Sequence, residues 1–286
     1  MIDLRNNGGG SLDEAVKLTG LFIKTGPVVQ VKSSTNKIEI KADTDKEQIY
    51  TGPLAILINR NSASASEIFS GAIKDYKRGI IIGEPTFGKG TVQALINLSQ
   101  RRSSYFSFIQ QKPLGSLRLT TAQFFRINGD STQYRGVLPD VAYPEETDLK
   151  DSGESSLDDA LPFVHIAPAT YQPVMSDYHL AEIIKKHTAR IKNDDGFKYL
   201  QKQHQLYQKI KDLKKITLIE IERKKDWDLR DHQSKQTRND FRISRGLKAL
   251  PSDIDEEKNE DLKEKEDELD AKAIKKIGIK FIFFFF

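Results

Sequence analysis

Two short apolar runs, residues 54–59 (LAILIN) and 79–83 (GIIIG), constrain this chain more than any other feature. Gly, Pro or Asn bounds each run, and neither alternates with polar residues. Such runs read as strands buried on both faces, the habit of parallel sheets in α/β domains. Between them Ile68, Phe69, Ala72, Ile73 and Tyr76 recur at helical spacing, so 66–76 reads as a helix with one apolar face. Strand, helix, strand is a βαβ unit, whose crossover is right-handed. Residues 13–23 read as a second helix, with Ala15, Val16, Leu18, Leu21 and Phe22 on its apolar side. Residues 30–40 and 117–127 alternate more loosely and read as hairpin strands; Asn128-Gly129-Asp130 is a turn signal. The expected fold class is α/β.

That region covers 1–144. An acidic, polar stretch (EETDLKDSGESS) leads into a second region, 145–250, dense in Lys, Gln, Asp and His. Within it, 180–191 and 199–218 have helical spacing, predicting a small helical domain. Trp227, the one tryptophan, is expected to anchor that domain; the alternative is a solvent-facing position. Residues 251–286 form a tail. It is mixed in charge up to Lys276 and reads as a solvated helix or a disordered segment. The closing FIFFFF is too short to span a bilayer and has no evident partner. Ile2-Asp3-Leu4-Arg5 reads as the end of a buried strand. The chain is therefore expected to be the C-terminal portion of a longer protein, with Met1 not its true start.

Composition excludes several chemistries. With no cysteine, there are no disulfides, thiol nucleophiles or cysteine-held metal centres. Lys and Arg number 45 against 41 Asp and Glu, with both signs interspersed, and no nucleic-acid signature accompanies the net +4. No apolar stretch reaches the roughly 18–20 residues of a membrane span, and the N-terminus is not a signal peptide.

Asn61-Ser62-Ala63-Ser64-Ala65-Ser66-Glu67 falls where a buried strand ends and a helix begins, the place where ligands and nucleophiles collect in α/β folds. A serine there lies near backbone N–H groups and the positive end of the helix dipole. The plainer alternative is helix capping by Ser62 or Ser66. A serine nucleophile needs a base. All five histidines (His165, His179, His187, His204 and His232) lie in the second region, which argues against a Ser-His-Asp triad. Lysine is the other candidate. In Pro85-Thr86-Phe87-Gly88-Lys89-Gly90-Thr91 the glycines leave the backbone around Lys89 bare. A surface-turn lysine is the alternative, and a phosphate loop is a weak one, because the upstream glycine of that motif is missing. As a base at neutral pH the lysine must shed its proton, a change of roughly three pH units from about 10.4, or about 4 kcal/mol, by desolvation. Asn6–Gly10 exposes backbone N–H groups after a strand and reads as an anion-binding nest or a flexible turn.

DLRNNGGG, SASASEIFSGAIKDY and GEPTFGKGTVQ, in this order, resemble the C-terminal processing (tail-specific) proteases, serine peptidases of the Ser/Lys dyad type. The similarity is closest to their long periplasmic branch. ALPFVHIAPATY and HTARI resemble, more weakly, that branch's helical C-terminal domain. The resemblance implies a partial crotonase/ClpP-like protease core followed by a small helical domain. It implies Ser64 as nucleophile, Lys89 as general base, Gln93 orienting the lysine, and Gly10 with Ala65 as oxyanion donors. It implies a role for Asp75 too. On a continuous helix, however, that residue lies roughly 16 Å along the axis from Ser64, which favours pairing or capping over direct relay. The resemblance further implies protein substrates with exposed apolar C-termini, a periplasmic location, a possible lipoprotein adaptor, and no cofactor or metal. In the family an upstream PDZ domain captures substrate tails by strand addition. Two other readings stay open: a catalytically silent remnant acting as a binding module, and an acyl-CoA enzyme of crotonase-like architecture.

Overall fold

The computed structural model describes residues 1–98, 114–143, 152–174 and 179–250. The tail 251–286, with its charged run and FIFFFF, lies outside the described residues. The described residues form two compact units, one within 2–140 and 152–174, the other within 141–143 and 179–250.

In the first unit, strands β1 (Ile2–Asp3), β4 (Ala55–Ile58) and β5 (Ile80–Gly83) pair in parallel, β4 between the others. The two apolar runs are thus strands, and α2 (Ala65–Asp75) is the crossover between them. A second sheet is antiparallel, in the order β3-β2-β7-β6, built from β2 (Gly26–Ser33), β3 (Ile38–Asp43), β6 (Thr91–Asn97) and β7 (Ser116–Phe125). The hairpins expected at 30–40 and 117–127 belong to it. The turn at Asn128–Asp130 follows, with Gly129 at φ +96 and its N–H donating to the Arg126 carbonyl at 3.0 Å.

Helices α1 (Leu12–Gly20) and α2 contribute to two apolar clusters. One joins Leu18 and Phe22 with Phe69, Ile73 and the parallel strands. The other joins Ala15 with Ala65, Ile68, Ala72, Tyr76 and residues of the antiparallel sheet. Helix α2 therefore has two apolar sides where its spacing suggested one, and Ala65–Ile73 are all buried. Its small residues make this possible: a Cβ on Gly71 would meet the Arg126 side chain at 3.2 Å. Helix α1 starts at a Ser11 cap, whose hydroxyl accepts the Glu14 N–H at 3.3 Å. It stops earlier than its pattern, yet Phe22 and Ile23 beyond it remain buried.

Residues 152–174 also pack in the first unit, as a strap of backbone bonds. Ile166 N–H donates to Gly129 (2.9 Å), Ala169 to Ile127 (2.8 Å) and Val174 to Tyr76 (2.8 Å).

The second unit carries β8 (Val141–Ala142) and three helices: α3 (Leu180–Ile191), α4 (Asp195–Lys211) and α5 (Glu220–Ser244). Helix α3 matches its expected span. Helix α4 starts earlier, because Asp194 caps it by accepting the N–H groups of Gly196 (2.8 Å) and Phe197 (3.2 Å). Aromatic groups hold this unit: His187 stacks on Tyr143 with Phe197 at their edges, and Tyr199 stacks on Phe241 at 4.7 Å. Trp227 is not the anchor, being 66% exposed. It lies on α5, none of whose residues is buried among the described residues, so that helix offers the indole no core to anchor. Among the described residues no helix is long and apolar enough to cross a membrane.

Candidate active site

Ser64 sits between the end of β4 and the first residue of α2, at φ +57 and ψ −113. A non-glycine residue there is strained by about 1–3 kcal/mol and persists only where its surroundings over-determine it. Those surroundings are visible. The Ser62 hydroxyl donates to Leu4 carbonyl (2.7 Å) and accepts the Asn59 N–H (3.0 Å). The Ala63 N–H and the Ser66 hydroxyl both donate to the Asn7 carbonyl, at 3.0 and 3.1 Å. Ser62 and Ser66 are thus spent on the turn, and the helix cap position belongs to Ser64.

The glycine run closes the other side of the turn. The Asn6 side-chain oxygen accepts from the amides of Asn59 (2.9 Å) and Asn61 (3.0 Å). Gly9, at φ +92, lies so close that a Cβ there would stand 2.7 Å from the Ala65 nitrogen. Its own N–H is taken by the Asn7 side chain at 2.9 Å. Gly10 follows, exposed, with its backbone at the same cleft as Ser64.

Glu67 joins the serine turn to the lysine loop, and sequence reasoning missed it. Its carboxylate is fully buried and accepts four hydrogen bonds. One oxygen takes the Thr86 hydroxyl (2.6 Å) and the Gly88 N–H (2.8 Å). The other takes the N–H groups of Ser64 (2.8 Å) and Lys89 (3.0 Å). Burial pushes its pKa up to about 7, against the opposing pull of these donors. A signal was present: Ser64 and Glu67 have capping-box spacing. The loop is fixed further by Gln133, whose side chain accepts the Gly90 N–H at 2.8 Å, and by the Phe87 N–H donating to Ser62 carbonyl at 2.9 Å.

One cleft of about 410 Å³ gathers Gly10, Ser64, Ala65, Lys89 and Gln93 on its walls, with Leu12, Ile68, Val92 and Phe124 as apolar lining. Gln93 reaches it from strand β6, four residues past Lys89. Ser64 and Lys89 are half-buried; Gln93 is exposed.

Asp75 is not on that cleft. It ends α2, where the Arg126 guanidinium grips it in a bidentate ion pair, one bond at 3.1 Å. Burial raises the pKa of Asp75, and the charge and hydrogen bonds of Arg126 oppose the rise. This pair ties the helix that begins beside Ser64 to the end of β7. Among the described residues no group of three or more His, Asp or Glu side chains is placed to hold a metal ion.

The family model for peptidase family S41 matches residues 1–143, and that for the C-terminal domain of tail specific protease matches 147–280. The chain is 43% identical to the tail-specific protease of Haemophilus influenzae over 261 residues, 90% of this chain and 36% of that protein. It is 36% identical to the carboxy-terminal-processing protease of Bartonella bacilliformis over 154 residues, 54% of this chain and 32% of that one. Among solved structures, the photosystem II D1 C-terminal processing protease is similar, with 35% identity and a TM-score of 0.42 over 49% of this chain and 33% of its own. The chain spans about a third of the length of these curated relatives.

Proposed function

The chain belongs to peptidase family S41, among the tail-specific and C-terminal processing serine proteases, and from that membership we propose that it carries the hydrolytic site of a tail-specific endopeptidase. The Ser64 hydroxyl attacks a peptide carbonyl while Lys89, as general base, takes its proton. The N–H groups of Ala65 and Gly10 hold the oxyanion of the tetrahedral intermediate. The intermediate collapses, Lys89 protonates the leaving amine, and an acyl-serine remains. Lys89 then activates a water that releases the new C-terminus. Gln93 orients the amine. Asp75 acts through Arg126 as a positioning residue, since it does not reach the cleft.

One observation carries this reading. Residues from four separate segments, Gly10, Ser64 with Ala65, Lys89 and Gln93, share one cleft lined by apolar side chains. The strained turn at Ser64 supports it, because that backbone is held by bonds from three directions. Substrates are proteins with exposed apolar C-terminal tails, the location is periplasmic, and a lipoprotein adaptor presents some substrates; these follow from the family likeness.

The test is labelling with a fluorophosphonate. Wild type should be labelled; Ser64→Ala should not, and Lys89→Ala should react far more slowly. A folded wild-type chain that resists labelling would favour the silent-remnant reading. CoA binding at the same cleft would favour the acyl-CoA one.

A further inference from the structure

The apolar part of the cleft ends in a positive charge that the hydrolytic chemistry does not use. Arg118 lies on β7 directly across from Leu95 on β6, and both line the cleft. Lys89, the other basic residue on its walls, is taken by the hydrolytic step in the reading above, so Arg118 is the basic lining group left to meet a charged substrate.

Nothing on its own hairpin offsets that charge. Between Glu84 and Asp130 the sequence contains no Asp or Glu, while Arg101, Arg102, Lys112 and Arg118 all fall there. Among the described residues Arg118 has no carboxylate partner, and it is exposed. Leu12 also lines the cleft, but the acidic residues that follow it, Asp13 and Glu14, do not, and Glu14 is paired with Lys17 at 2.8 Å. The cleft thus joins an apolar floor, with Ile68 and Phe124 nearly fully buried, to an unpaired guanidinium at its edge.

We propose that Arg118 is a specificity-determining residue that selects substrates bearing a carboxylate next to the apolar side chain held in the cleft. This rests on the cleft being the substrate site. A guanidinium takes a carboxylate through two parallel N–H bonds, whereas it repels Lys and gains little from Gln. The carboxylate comes either from an Asp or Glu side chain or from the substrate's own C-terminus. At a solvent-facing rim such a contact changes affinity by about two- to fivefold and weakens with salt.

The experiment measures binding, so that it does not depend on turnover. Fluorescent peptides with one apolar anchor are titrated into the Ser64→Ala chain. They carry Glu, Gln or Lys at each neighbouring position, and a free or amidated C-terminus. Glu peptides, or free acids over amides, should bind about two- to fivefold more tightly than Gln or amide partners; which pair responds identifies the source. Arg118→Glu should reverse the preference toward Lys, and Arg118→Gln should flatten it. Lys24→Glu, which makes the same charge change outside the cleft lining, should leave it intact. High salt should erode the preference in step. Equal affinity across the set, no binding at millimolar peptide, or a preference that survives Arg118→Glu would overturn the inference. Charge-selective binding without any fluorophosphonate labelling of wild type would instead strike only the catalytic reading.

Discussion

Helices α2 and α5 are made on opposite terms. In α2 the residues Ala65–Ile73 are all buried, while the longer α5 has no buried residue. The first lies among two apolar clusters fed by two sheets; the second is steadied by local pairs such as Lys235–Asp231 at 2.8 Å and by one aromatic stack. A helix needs far less from its own sequence when sheets cover both its sides, and α2 accordingly tolerates Ser, Gly and a strained first turn. Helix α5 must supply its own stability through charge pairs and helix-forming residues. The proposed nucleophile sits at the start of the helix whose position is over-determined.

The contrast can be broken most directly at Phe69. Its removal (Phe69→Ala) should cost about 3–5 kcal/mol in denaturant unfolding, and a loss under 1 kcal/mol would mean that α2 is not sandwiched as described. Asp75→Ala should approach that size, about 3–5 kcal/mol, because Arg126 is left buried without its partner. Labelling of Ser64 should fall alongside stability.

Glu67 sharpens the comparison through pH. Its native pKa of about 7 lies above the ordinary 4.5, so the folded chain binds the proton more tightly than the unfolded one. That stabilisation is complete below about pH 4.5 and is lost as pH rises through about 7. Relative to Glu67→Gln, which does not titrate there, wild type should lose roughly 3 kcal/mol across that window. A pH-independent difference between the two would contradict the buried carboxylate. Above that window the carboxylate is ionised and accepts all four bonds. There Glu67→Gln turns an amide N–H toward the N–H groups of Ser64 and Lys89, so Ser64 labelling should slow about tenfold or more.

The smallest effects belong to the second unit. Trp227→Ala should change stability by no more than about 0.5 kcal/mol. Lys235→Ala should cost about 0.2–0.5 kcal/mol, less in high salt. If Trp227→Ala unfolded the helices, the indole would be the anchor after all.

Much of the first unit is legible in the amino-acid sequence. LAILIN and GIIIG announced β4 and β5, and the spacing from Ile68 to Tyr76 announced α2. The second side of α2 was not, because a single helical stripe cannot report a sheet that arrives from residues 26–33 and 116–125. Trp227 misled for a related reason: a large apolar residue signals burial only if something folds against it. Residues 152–174 carry little periodicity, so their place as a strap along the first unit came from backbone bonds that leave no pattern in sequence.

The sequence alone determined which residue types stand at the strand-to-helix junction and in the glycine-flanked loop, and in what order. Periodicity and turn chemistry act over a few neighbouring residues, and the order of the motifs carries the family likeness. The tertiary structure alone decided that Glu67 would meet the backbone of Gly88 and Lys89, that Asp75 would be taken by Arg126 away from the cleft, and that Arg118 would stand at its edge. These partners lie some twenty to fifty residues apart along the chain. Only the packing of two sheets around α2 brings them within hydrogen-bond reach.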